Sequence, residues 1–218
     1  MKILAFDIGG SSLKYAVIDE AGTILTKDKK PTPETRDGFF ALVGEIAASF
    51  AGQYVFSGAA FSFPGAVDDA TGVIGGASAI PYIHDFPMRQ ELEARLELPI
   101  AMENDANCAA LGESWLGAGK GHDDMAFLVI GSGVGGAVVK DKRIHHGRHL
   151  HGGEFGFMVV GADHHILSET GSTRAVAEAV ADAKGVPHDE MDGEKAFALA
   201  VGGDMDAQNA VDAMQEAL

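Results

Sequence analysis

Apolar positions fall in short runs at the start of the chain. "MKILAFDI" is rich enough in them for an inner strand, "GGSS" is a turn, "LKYAVIDE" a second strand, "AG" another turn and "TILTKDKK" a third strand. The opening therefore predicts a three-stranded antiparallel meander. The period then lengthens, and "TRDGFFALVGEIAASF" spaces Phe39, Phe40, Val43, Ile46, Ala47 and Phe50 along one helical face. "QYVFSGAAFSFPGAV" returns to strand and is punctuated by Pro64-Gly65, while "GVIGGASAIPYIHDF" reads as a surface segment of the kind that borders a cleft. "PMRQELEARLE" is a short helix with Met88, Leu92 and Leu96 at i, i+4 and i+8; "LPIAM" is a strand, and a helix follows from about Ala106 to Leu116.

"MAFLVIGSGVGGAVVKDKRI" repeats the logic of the first residues: apolar strand, glycine turn, apolar strand. Two related α/β halves are expected, an N-terminal domain over residues 1–116 and a second over 117–218. "SETGSTRAVAEAVADAKG" is a helix preceded by Ser and Thr caps, and "DAQNAVDAMQEAL" is another. That last helix runs to Leu218 without a stop signal, so the expectation is a larger fold of which the second domain is an incomplete part.

Composition narrows the partners. A formal charge of −16 and a pI near 4.8 speak against nucleic acid or an anionic membrane surface as the main partner, without forbidding a locally positive nucleotide pocket. Cys108 is the only cysteine, which rules out an intramolecular disulfide or a thiolate metal cluster and fits a reducing compartment. The apolar run at the start is too short for a signal peptide or membrane span, so a cytoplasmic protein is expected.

The candidate chemistry gathers at the glycine turns and at "AMENDANCAALGE". Asp7 closes the first strand just before Gly9, Gly10 and Ser11; Gly131, Ser132, Gly133, Gly135 and Gly136 occupy the equivalent place later. Glycines let backbone N–H groups converge on phosphate oxygens, and an Asp beside them suits Mg²⁺ opposite a transferring phosphoryl group. Plain hairpin turns are the competing account. Neither turn is a Walker A loop, and a strand rather than a helix follows "GSGVGG", which argues against a dinucleotide site. At the strand-to-helix junction Asp105 is the candidate base for phosphoryl transfer to an alcohol. Helix capping by Asn104 or Asp105 competes with that role, although the capping box is missing. Glu154 in "HGGEFGFM" and Glu169 in "ILSETGS" are carboxylates of the type that hold sugar hydroxyls, or else solvated surface residues. His145, His146, His149, His151, His164 and His165 lack the cysteines or the H-E-x-x-H spacing of a metal site and read as surface residues.

In combination, "FDIGGSSLKYAVID", "FPGAVD", "ENDANCAALGE", "IGSGVGGAVV", "GGEFGF" and "SETGS" resemble the ROK family of repressors, open reading frames and sugar kinases, within the actin/hexokinase-like ATPase superfamily. The resemblance implies an actin-like fold of two ribonuclease-H-like domains around a cleft, and transfer of the γ-phosphate of ATP to a hexose, usually at the 6-hydroxyl. It implies that Asp7, Gly9, Gly10, Ser11 and the turn at Gly131, Ser132, Gly133 and Gly135 receive phosphate and Mg²⁺, with Asp105 as base. Asn104, Glu154 and Glu169 would bind the sugar, with Gly65, Gly76 and Ala77 near it. A homodimer is also implied. Two features depart from the family: its Glu-x-Gly-His is Glu154-Phe155-Gly156-Phe157 here, and its cysteine-rich zinc loop is shortened to "GADHHILSE". No structural zinc is expected. The rival reading is a non-catalytic sugar-binding or regulatory member.

Overall fold

The computed structural model describes all 218 residues, and the chain divides into two compact units, Met1–Lys120 and Gly121–Leu218. In the first unit the predicted meander is formed by β1 (Lys2–Ile8), β2 (Ser12–Asp19) and β3 (Ile24–Pro31). The helix α1 (Arg36–Ser49) follows, with Thr35 as N-cap accepting from the Gly38 N–H. Next come β4 (Gly58–Phe63) and a small hairpin, β5 (Ala66–Asp68) with β6 (Val73–Gly75). The strand expected to begin at Gln53 begins only at Gly58, because residues 51–53 form a turn after α1. The unit is completed by α2 (Met88–Leu96), β7 (Ile100–Asn104) and α3 (Asp105–Leu116). Its sheet has the order β3-β2-β1-β4-β7, with β4 and β7 parallel to β1.

Strand alternation sorts this sheet into two faces. Leu4, Phe6, Ile8, Phe61 and Phe63 are buried with Phe39, Val43, Met88 and Leu92 of α1 and α2. Phe6 stacks on its cross-strand partner Phe61 at 4.6 Å. The opposite face is built in rows. One is small and apolar: Ala16, Ala5, Ala60 and Ala101 are successive register partners. The next row, toward the C-terminal ends of the parallel strands, is polar: Lys14, Asp7, Ser62 and Glu103.

The second unit opens with β8 (Met125–Ile130), β9 (Val134–Lys140) and β10 (Arg143–Ile144), an antiparallel sheet of order β10-β9-β8. A two-stranded ribbon, β11 (Val159–Val160) with β12 (His165–Ile166), leads into the short helix α4 (Leu167–Thr170). Then α5 (Thr173–Lys184), α6 (Gly193–Val201) and α7 (Met205–Ala217) pack through Val176, Val180, Ala196, Ala207 and Met214. The sequence reading placed no helix at α6. Its cue is Asp192, whose carboxylate accepts from the Lys195 N–H. The strand β8 lies at the sheet edge with Leu128, Val129 and Ile130 exposed by 43%, 37% and 43%. No helix is long and apolar enough to cross a membrane.

Candidate functional site

The polar row explains how the first unit holds Asp7. Its Oδ1 accepts from the Ser62 hydroxyl at 2.9 Å and its Oδ2 from the Lys14 ammonium at 3.0 Å. Both contacts follow from register, since Asp7 lies between Lys14 on β2 and Ser62 on β4. The ion pair is exposed and so contributes little to stability. The row borders an open recess of about 750 Å³ in the first unit, lined also by Ala5, Ala60, Ala101 and Cys108. Gly9 is held in the following turn by its N–H to the Ser12 carbonyl, and a Cβ on Gly10 would meet the Ala79 methyl at 2.9 Å.

At the junction of β7 and α3 the polar residues divide the work. Glu103 Oε1 accepts from the Asn104 N–H and the Asn107 amide, which holds Asn107 inside the unit. Asn104 is the N-cap: its Oδ1 accepts from the N–H groups of Ala106 and Asn107, while its Nδ2 donates to the Gly65 carbonyl at 3.1 Å. Gly65 must be glycine, because its φ is +102° and a Cβ would sit 2.8 Å from His84 and 3.0 Å from the Gly75 carbonyl. The "PGAV" loop is thereby fastened to the start of α3. Gly76 and Ala77, after β6, are exposed.

Asp105 begins α3. One carboxylate oxygen accepts from the Ala106 N–H, and the residue remains exposed. Protein packed around its carboxyl removes water and raises its pKa above the ordinary aspartate value, and the Asp7 charge adds to the rise. The same surroundings act on Cys108: desolvation, reinforced by the Glu103 charge, pushes its thiol up to about 12. Asp7, Glu103 and Asp105 thus make a region that favours a cation. No group of three or more His, Cys, Asp or Glu residues in the structure is arranged as a metal shell. That donor set fits a magnesium ion that arrives with phosphate oxygens and needs only one or two protein carboxylates, Asp7 being the one in place.

In the second unit the glycine turn is shorter than expected. Only Gly131, Ser132 and Gly133 lie between β8 and β9; Gly135 and Gly136 are inside β9, paired opposite Val129 and Leu128. Gly136 is glycine for packing, since a Cβ there would lie 2.7 Å from the carbonyl oxygens of Phe127 and Gly153 and would overlap the Phe155 ring. By contrast a Cβ on Gly131 would meet nothing within 4 Å, so the turn itself is open to a ligand. Its far side is fixed: the Gly131 carbonyl accepts from both the N–H and hydroxyl of Thr173, and Ser168 Oγ accepts from the Val134 N–H.

Glu154 precedes a 3₁₀ turn at Phe155–Phe157, and its carboxylate has no hydrogen-bond partner within the chain. Glycines at 152, 153 and 156 let this loop lie against the backbone of residues 134, 137, 145 and 146, where any side chain would overlap main-chain atoms. Glu169 sits in the short helix α4, just ahead of α5. Its Oε2 accepts from the Ile166 N–H at 3.1 Å and lies 3.3 Å from His165 Nδ1. Sequence reasoning missed Lys14, Ser62 and Ser168. Lys14 and Ser62 meet Asp7 only through strand register, and Ser168 carried no signal, because its partner is 34 residues away.

The model of the ROK family matches residues 3–218. This chain belongs to the ROK family. It is 38% identical over 205 residues to a β-glucoside kinase of Listeria monocytogenes, covering 91% of this chain and 69% of that protein. It is 32% identical to a glucokinase of Thermotoga maritima, over 90% of this chain and 62% of that protein. Among solved structures, a ROK family protein from Streptococcus pneumoniae in complex with sucrose superposes with a TM-score of 0.88 at 37% identity, over 100% of this chain and 73% of that one. A ROK family glucokinase from Streptomyces griseus with glucose and AMPPNP gives 0.82 at 28% identity, over 98% of this chain and 75% of that one. The ROK chain described here therefore has the mixed α/β fold of the actin/hexokinase-like superfamily.

Proposed function

We propose that this ROK-family protein is a zinc-independent sugar kinase that transfers the γ-phosphate of ATP to a hexose, at the 6-hydroxyl, in the manner of a glucokinase. The observation that carries the reading is Asp105: an accessible carboxylate at a helix start, with a raised pKa, in the unit that also holds Asp7. Each unit is a ribonuclease-H-like half on this reading, and the protein works in the cytoplasm as a homodimer.

The roles follow from the contacts. Asp105 accepts the proton of the sugar hydroxyl as the new P–O bond forms, and its raised pKa strengthens it as a base. Asn104 spends its amide on the cap and on Gly65, so it positions the sugar loop and offers only its remaining N–H to a hydroxyl. Glu154, with its unpartnered carboxylate, and Glu169 accept from other hydroxyls, and Gly65, Gly76 and Ala77 are the backbone neighbours of the sugar. Gly9, Gly10, Ser11, Gly131, Ser132 and Gly133 receive the phosphates. Asp7, which pairs with the exposed Lys14 ammonium, would hold Mg²⁺, and the ion would neutralise phosphate charge.

A coupled ADP-release screen over glucose, mannose, fructose, N-acetylhexosamines and β-glucosides tests this. The expected result is turnover of at least one sugar, with Asp105→Asn losing about 10²–10⁴-fold while still binding it. No ADP release from any sugar, or near-normal turnover in Asp105→Asn, overturns the reading.

A further inference from the structure

Between β6 and α2 the chain of the first unit passes through Ser78 and His84, two polar residues that the kinase reading leaves unused. A 3₁₀ turn, Pro81–Ile83, anchors this stretch: Ile83 is fully buried, the Tyr82 hydroxyl donates to the Pro33 carbonyl at 2.6 Å, and Arg36 Nε donates to the Tyr82 carbonyl at 2.9 Å. The next residue, His84, leans on the sugar loop, for the Cβ that Gly65 lacks would lie 2.8 Å from its Cε1. Its other edge reaches back, with Nε2 at 2.8 Å from Ser78 Oγ. That oxygen already accepts from the Ile80 N–H at 3.2 Å, so the hydroxyl's own hydrogen is left for Nε2, and Nδ1 then carries the ring proton. Nδ1 is buried and has no partner in the chain. An unpaired buried donor costs stability, so packing alone would be better served by an apolar side chain. Beside Ser78, the Ala79 methyl stands where a Cβ on Gly10 would meet it at 2.9 Å. One imidazole thus links the Gly65 loop, which Asn104 ties to the start of α3, with the segment that abuts the Gly10 turn.

We propose that His84 is a positioning residue of the kinase site: through Ser78 it holds residues 76–80 in register with the Gly65 loop, so that the sugar side and the phosphate side of the first unit keep a fixed separation. The inference rests on the kinase reading above and adds to it a residue that acts through Ser78 rather than on a substrate. Asn104 holds the Gly65 loop independently, so each substrate keeps its own contacts when His84 is replaced. What is lost is the alignment of the hydroxyl with the γ-phosphate, and a displacement of about 1 Å there is enough to cost about a hundredfold in rate. The deficit therefore belongs in kcat rather than in KM.

The test uses four variants: His84→Leu, which fills the space without the hydrogen bond, Ser78→Ala, the two combined, and His84→Gln, whose amide reaches the place of Nε2. Each is assayed for sugar phosphorylation and melted. His84→Leu and Ser78→Ala are each expected to lower kcat by about tenfold or more, with KM for sugar and ATP changed less than about threefold and Tm within about 4 °C of wild type. The double variant is expected to lose no more than the worse single one, and His84→Gln to recover to within about threefold of wild type. An unchanged kcat, losses confined to KM, losses that multiply in the double variant, or no recovery with Gln overturn the proposal and leave the kinase reading intact. Where His84→Leu fails to fold, Ser78→Ala carries the same prediction. Amide exchange followed by NMR supplies a readout that needs no turnover. The Gly9 N–H, bonded to the Ser12 carbonyl, and the Ile80 N–H are expected to exchange about fivefold faster in His84→Leu and at the wild-type rate in His84→Gln. Should wild type phosphorylate no sugar, the kinase reading fails; faster Gly9 exchange that Gln reverses then upholds the link between the two loops, and unchanged Gly9 exchange overturns it.

Discussion

Asn104→Ala separates a structural role from a sugar-binding one, because Asn104 is both cap and tether. The substitution removes the acceptor of the Asn107 N–H at 3.1 Å and one of two acceptors of the Ala106 N–H, the other being Asp105. Losing an Asn N-cap costs about 1 kcal/mol. It also removes the donor to the part-buried Gly65 carbonyl, worth about 1 kcal/mol net. The sum, about 2 kcal/mol, lowers Tm by about 4–8 °C in a domain of this size range. Asn104→Ser retains a hydroxyl for the cap and is too short for Gly65, so it should lose about half as much. Trp115, the single tryptophan, lies in the capped helix itself, and thermal melts followed by its fluorescence report on the right element. An Asn104→Ala protein melting within about 1 °C of wild type, or equal losses for the Ser and Ala variants, would show that the cap and tether do not hold the junction.

Three further outcomes are expected. Because the folded pKa of Asp105 is raised, its charge costs stability once pH exceeds that value and costs nothing below the unfolded value of about 4. Asp105→Asn should therefore melt higher than wild type at neutral pH and alike near pH 3, and the acid limb of wild-type kcat/KM should lie above that of an ordinary aspartate; melting curves that coincide at both pH values would contradict this. Gly156→Ala places a Cβ on the Val134 carbonyl and the Ser168 hydroxyl and should cost about 1–3 kcal/mol in urea denaturation, whereas Gly131→Ala, which meets nothing, should cost far less. At pH 8 the Cys108 thiol, pushed up to about 12, should react with a disulfide reagent roughly a thousandfold more slowly in the folded protein than in urea, and a native rate within tenfold of the unfolded one would refute it.

Local patterns carried much of this molecule. The meander, α1, α2, α3 and the β8–β9 hairpin were legible because their apolar spacing decides them within a few residues. "AMENDANCAALGE" was legible only in part. A surplus of polar groups marks a special junction, but whether Asn104 faces a ligand or a backbone depends on Gly65, 39 residues earlier. The glycines of "GSGVGG" look alike in the sequence and differ in the fold: Gly131 is open, while Gly136 is closed over by Phe155. That distinction is set by a loop nearly 20 residues away, which no local pattern encodes. Lys14 and Ser62 were hidden differently, because their relation to Asp7 is a matter of strand register.

The uncovered edge of β8 has a practical consequence. It offers a row of unpaired backbone N–H and C=O groups flanked by exposed Leu128, Val129 and Ile130, which is a template for pairing with another chain. Protein concentration is therefore an experimental variable for this polypeptide, and with 16 excess negative charges so is ionic strength: salt that screens the repulsion between copies also lets their edges meet. Light scattering that grows with both, and that falls when a lysine replaces Val129, is the signature to look for before any kinetic constant is compared between preparations.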